Sequence, residues 1–157
     1  MELEEYSDEE LLEAGREAVK REQWSKAASI MSAYVDRWVM RGQRPPAGAL
    51  ATFALCLGHT HELRRGLDLA KRAQSGDPRN PNVYWCLAQL HILNGSRREA
   101  IETAERGLRF AADNFALVRL RKRLGVRQPT PLPFLSRGHR LNVSLGRLMH
   151  RLRGHAA

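Results

Sequence analysis

The chain has 157 residues, 27% of them charged and 43% hydrophobic, with a formal net charge of +9. This is the composition of an ordinary folded chain, long enough for one domain with a core and short for an enzyme with a deep cleft. No apolar run approaches the roughly 18 residues of a membrane span. The opening MELEEYSDEELLEAG lacks the basic and apolar regions of a secretory signal, so a cytoplasmic location is expected. Cys56 and Cys86 have no short spacing and read as reduced, partly buried thiols.

Charge is unevenly spread. Residues 1–13 hold seven acids and no base, whereas beyond Asp113 there is no acid against ten Arg or Lys. The split points to a basic tail with an anionic partner, or to one that pairs with the acidic head.

In chain order, residues 8–41 read as a first helical hairpin. Asp8 is placed as its cap, Leu11, Leu12, Ala14, Ala18 and Val19 as its apolar side, and the early acids suit the helix dipole. Gln23-Trp24-Ser25 reads as the turn. The second helix carries Ala27, Met31 and Tyr34 and continues through Trp38 and Met40 until Gly42-Gln43-Arg44-Pro45-Pro46 stops it.

Residues 47–80 and 81–114 align without a gap. Leu50 falls on Tyr84, Phe53 on Leu87, Ala54 on Ala88, Leu57 on His91, Gly66 on Ala100, Ala70 on Ala104 and Ala73 on Gly107. Each reads as two amphipathic helices around a turn, Asn94-Gly95 in the second case, with Ser96 and Glu99 placed as a capping box. Small residues at Ala88, Ala100, Ala104 and Gly107 let helix axes approach closely. A hairpin repeating every 34 residues with this alternation of large and small resembles the tetratricopeptide (TPR) repeat. The departures are Gly66, where Ala is usual, and Ala112, where Pro78 would recur; both are expected to weaken one repeat locally.

The turn Gly58-His59-Thr60-His61-Glu62 places two histidines beside an acid, a metal-ligating combination. No cysteine or further histidine lies at ligand spacing, so polar turn residues are the favoured reading and no metal or cofactor is expected. His91 reads as a core or near-core histidine. There is no glycine-rich phosphate loop, no His-Glu-x-x-His and no activated nucleophile, which argues against an enzyme.

Residues 115–124 form one more predicted helix, ending at Gly125, of the kind that covers the bare end of a solenoid. Phe115, Val118, Leu117 and Leu120 or Leu124 are expected to dock, leaving Arg119, Arg121, Lys122 and Arg123 in solvent. Residues 126–139 hold Pro129, Pro131 and Pro133 and read as a stiff connector able to span roughly 40 Å at about 3.1 Å per residue. In 140–153, Leu141, Leu145, Leu148, Met149 and Leu152 make an apolar stripe, with Arg147 and Arg151 mostly away from it.

The TPR resemblance implies an all-α, right-handed superhelical solenoid of antiparallel helix pairs over residues 1–125, and a non-enzymatic protein-interaction module: adaptor, scaffold or small chaperone. The first helices of TPR repeats line a concave groove. Matched position by position, that groove presents Leu12, Arg16 and Val19, then Ala51, Leu55 and His59, then Trp85, Gln89 and Ile92. Its apolar patch suits an apolar peptide or amphipathic helix of another protein; the bland alternative packs Trp85 and Ile92 between helices. TPR domains that clamp peptide carboxylates use Lys and Asn, where this chain has Leu12, Arg16, Thr52 and Cys86, so that activity does not carry over. The competing expectation is a tail that mediates a homodimer or rests on an anionic membrane surface. Nucleic acid is disfavoured, since the tail lacks interleaved aromatics.

Overall fold

The computed structural model describes residues 5–125 and Leu145. The connector and, Leu145 apart, the basic helix of 140–153 with its expected contacts lie outside the described residues. Among the described residues there are seven helices and no strand: α1 (Asp8–Lys20), α2 (Trp24–Met40), α3 (Ala47–His59), α4 (Leu63–Gly76), α5 (Pro81–Leu93), α6 (Arg97–Phe110) and α7 (Phe115–Leu124). Hairpins start at residues 8, 47 and 81, and α7 at 115. The period is therefore 34 residues from α3 onward and 39 before it. The difference comes from α2, which has 17 residues where α4 and α6 have 14, and from the segment after it.

The three hairpin turns share one backbone device. Glu22, His61 and Gly95 take left-handed φ values of 57°, 70° and 72°. The next amide then closes a six-residue loop: Gln23 N–H donates to Ala18 O, Glu62 to Leu57 O and Ser96 to His91 O, at 2.8–2.9 Å. This Schellman geometry satisfies the last carbonyls and aims the following helix. The outer helices consequently start without side-chain caps at Gln23, Glu62 and Ser96. The expected Ser96–Glu99 box is absent; Ser96 Oγ instead accepts from Asn94 Nδ2 at 2.9 Å. Trp24 likewise belongs to α2 rather than to the turn.

A capping box does exist at α1, formed by Ser7 and Glu10 rather than by Asp8. Asp8 pairs with Arg41 Nη1 at 2.6 Å and with Arg37 at 3.5 Å, tying the start of α1 to the end of α2. The inner helices α5 and α7 are capped by Asn80 and Asn114, whose side chains accept from Asn82 N and Leu117 N, both at 3.1 Å. Ala112 in place of a proline leaves that turn intact: Asn114 N donates to Ala111 O much as Asn80 N does to Asp77 O.

Three apolar clusters fill the space between successive hairpins. Leu11, Ile30, Met31 and Tyr34 centre the first, Leu55, Val83, Leu87 and Leu90 the second, and Tyr84, Ala88, Ala104 and Leu117 the third. Close approach depends on missing side chains. A Cβ on Gly66 would sit 2.5 Å from the Ala54 carbonyl oxygen, and one on Gly107 would sit 2.6 Å from Tyr84 Cβ. Gly66 is thus what allows α4 to lie directly on α3, the opposite of a local weakness.

At the C-terminal end, α7 docks through Leu117, Leu120 and Leu124, which are buried, while Phe115 stays 76% exposed. The helical phase decides this: 117, 120 and 124 share one face, which turns position 115 outward. Arg121 lies on the docked side, its Nε 2.8 Å from Glu105 Oε1, and not in solvent as expected. Arg97 also donates to the Leu124 carbonyl, satisfying part of the helix end.

From α3 onward each inner helix packs on the outer helix before it, and α3 packs on α5 and α5 on α7, whereas the outer helices α2, α4 and α6 touch one another little or not at all. That places α1, α3, α5 and α7 on the inner, concave side. The contact of α1 with α3 is slight, and a space opens there.

Candidate functional site

The space is a cavity of about 380 Å³ walled by three inner helices: Arg16, Val19 and Lys20 of α1, Gly48, Thr52 and Leu55 of α3, and Asn82, Trp85 and Cys86 of α5, with Asn80 at its edge. Four of the nine expected groove residues, Arg16, Val19, Leu55 and Trp85, come together in it. Leu55 forms its floor and is only 1% exposed.

The others lie elsewhere. Ala51 is fully buried in the second cluster, because α3, as the middle inner helix, is covered on both flanks. Leu12 packs against the first cluster and Ile92 against the third. His59 stacks on Trp24, with ring centroids 3.6 Å apart and planes 3° from parallel, so it bridges α3 to α2. His61, two residues on, is exposed on the left-handed turn. Gln89 accepts from Arg123 Nη2 at 3.1 Å, which links α5 to α7. Trp85 is half-buried, packing on both the second and third clusters while one side faces the cavity.

Two polar residues shape the wall: Thr52, which the sequence reading named only as a departure from a carboxylate clamp, and Asn82, which it passed over. Thr52 Oγ1 donates to Gly48 O at 2.9 Å, and Asn82 Nδ2 donates to the same carbonyl at 3.2 Å. Asn82 thereby joins α5 to α3 across one 34-residue interval; its place one repeat after Gly48 was the available signal.

The chemistry on offer is that of binding. Among the described residues, no acid and no histidine lines the cavity. Burial pushes the Cys86 thiol up to about 12, so it stays protonated and is a poor nucleophile. Arg16 is exposed and makes no ion pair among the described residues, whereas Lys20 is held by Glu17 at 3.4 Å. Among the described residues, the result is an apolar floor with an indole wall, amide and hydroxyl groups already bonded within the fold, and one available guanidinium. His59 and His91 are both held below the ordinary imidazole value by burial, opposed by Glu22 for the first and Glu99 for the second. The His91 Nδ1 is buried without a hydrogen-bond partner. Among the described residues no group of three or more His, Cys, Asp or Glu is placed to hold a metal, and no helix is long and apolar enough to cross a membrane.

No protein-family model matches the sequence, and no curated protein matches it significantly. Solved structures do. The Arabidopsis OM64 TPR domain superimposes with a TM-score of 0.59 at 19% identity, covering 74% of this chain and 93% of that one. The Sgt2 TPR domain from Aspergillus fumigatus gives 0.59 at 18%, covering 74% and 76%. The first TPR of Spaghetti (RPAP3), bound to the HSP90 peptide SRMEEVD, gives 0.57 at 14%, covering 73% and 89%. The chain has the TPR fold: an all-α solenoid of antiparallel helix pairs.

Proposed function

We propose that this TPR-fold chain is a non-catalytic protein-interaction module that holds an apolar or amphipathic segment of another protein against its inner face. The observation that carries the reading is the cavity where Trp85, Val19 and Leu55 converge beside Arg16. A half-buried indole held by packing on both sides is a rigid anchor with little conformational entropy left to lose on binding, and Trp is enriched at binding hot spots. That the first TPR of RPAP3 is bound to a peptide supports a peptide-holding role for this fold. Its acidic peptide is not carried over, because Leu12, Arg16, Thr52 and Cys86 stand where a carboxylate clamp would need Lys and Asn.

Selection of a displayed random-peptide library on the full chain tests this directly. Enriched peptides should share an apolar anchor and lose about tenfold or more in affinity for Trp85→Ala, since truncating an anchor typically removes 2 kcal/mol or more. Equal binding to wild type and Trp85→Ala would place the ligand elsewhere, and a library that yields no enriched family would refute the reading.

A further inference from the structure

The residues that lengthen the first repeat build something of their own. The segment after α2 and the first turn of α3 form one wall of a groove of about 710 Å³, the C-terminal half of α4 forms the other, and among the described residues none is shared with the inner cavity. Its floor is apolar, with Pro45, Ala47, Leu50 and Ala73. Its rim carries Arg44 from the inserted segment and Lys71 and Arg72 from α4. All three cations are exposed and make no ion pair among the described residues, unlike Arg41, Arg65 and Arg98, which are each matched to an acid. Among the described residues, the one carboxylate in the lining, Asp77, is occupied by the Asn80 amide at 3.1 Å and the Arg79 N–H at 3.3 Å. Beside the inserted segment, the last turn of α2 presents Val39 and Met40, which are 60% and 85% exposed.

We propose that this groove is a second docking site, for an acidic amphipathic segment of a partner protein. Apolar side chains of that segment enter the floor, and its carboxylates meet the three cations at the rim. Charge complementarity selects the acid, and the recessed apolar floor selects a side chain over a flat or stacked ligand. Nucleic acid is less well matched, since the lining contains no aromatic ring on which a base could stack. Val39 and Met40 protrude beside the groove, but its own apolar floor is recessed, which suits a side chain better than a lipid surface.

The probe is a short fluorescein-labelled amphipathic peptide of glutamate and leucine, titrated into the full chain by anisotropy. A glutamine-for-glutamate version, anionic phosphatidylserine vesicles and a thymidine oligonucleotide run alongside. The expected result is saturable binding of the acidic peptide that weakens with salt and falls about tenfold or more in the double variant Arg44→Glu/Arg72→Glu, because each exposed pair supplies up to roughly a factor of five and reversal adds repulsion. Trp85→Ala should leave it unchanged. Both arginines are exposed and unpaired, so the double variant keeps its fold, which circular dichroism checks. Loss in Trp85→Ala alone would assign the peptide to the inner face and overturn the proposal. So would indifference to the double variant, equal binding of the glutamine peptide, or binding confined to vesicles or oligonucleotide.

Discussion

Replacing Gly66 by alanine is the sharpest test of how the hairpins are held together. On intrinsic propensity the change should help, since alanine in a helix interior is favoured over glycine by about 1 kcal/mol. Tertiary packing opposes it. The new Cβ would lie 2.5 Å from the Ala54 carbonyl oxygen and 3.2 Å from the Gly58 nitrogen. Both are backbone atoms of α3, so no side chain can rotate away and the two helices must separate. Overpacking of this kind costs about 1–3 kcal/mol. Net destabilisation of up to roughly 2 kcal/mol is therefore expected once the propensity gain is offset. Gly76 lies in the same helix and supplies the control, because a Cβ there meets nothing within 4 Å and alanine should stabilise by about 0.4–1 kcal/mol. Urea unfolding followed by circular dichroism reads both variants, with a shift in midpoint at constant slope as the signature. If Gly66→Ala matches or exceeds Gly76→Ala in stability, the close contact of α3 with α4 is not what this glycine serves.

Three further outcomes follow from the same geometry. Leu117→Ala should destabilise by about 2–4 kcal/mol, whereas Phe115→Ala should change stability by less than about 0.5 kcal/mol; denaturation of the pair decides which face of α7 is docked. His61→Gly and Glu22→Gly relieve left-handed backbone at φ 70° and 57°, and each should raise stability by about 1 kcal/mol or slightly more, seen as a higher thermal midpoint; a lower midpoint would contradict the turn assignment. Burial holds His59 and His91 below the ordinary imidazole value, so the unfolded chain binds more protons below about pH 6.5. Stability should be full above that pH and decline as pH falls toward the folded-state values. The urea midpoint should be lower at pH 5.5 than at pH 7.5, with a smaller drop in His91→Gln.

Much of the architecture was legible because it is periodic. The interval between Leu50 and Tyr84, and the small residues at Ala70 and Ala104, are local patterns that repetition makes readable without knowing any contact. Capping was misread at Asp8 and at Ser96, since side-chain cap signals were visible while the Schellman closure that actually ends each inner helix is a backbone property. Asn80 and Asn114 escaped notice although they stand one period apart. In α7, apolar spacing pointed to Phe115 and Val118, but the hole left by Gly107, lined by Tyr84 and filled by Leu117, set the docked face and turned Phe115 outward.

For the candidate site, sequence position identified which helices face inward but not how far apart they stand. The TPR resemblance, matched position by position, pointed to an inner face with Arg16, Val19, Leu55 and Trp85, which the structure brings around one cavity. Whether a residue on that face is open or covered depends on its neighbours. Ala51 is sealed because α3 meets helices on both sides, while the slight contact of α1 with α3 opens the cavity. The second groove exists because an insertion of a few residues turned back beside α4. The chain alone determined the repeat and its hairpins, since those follow from short-range periodicity, and its resemblance to TPR repeats pointed to the inner faces. Only the tertiary structure decided which of those faces remained open, because exposure is set by contacts between residues tens of positions apart.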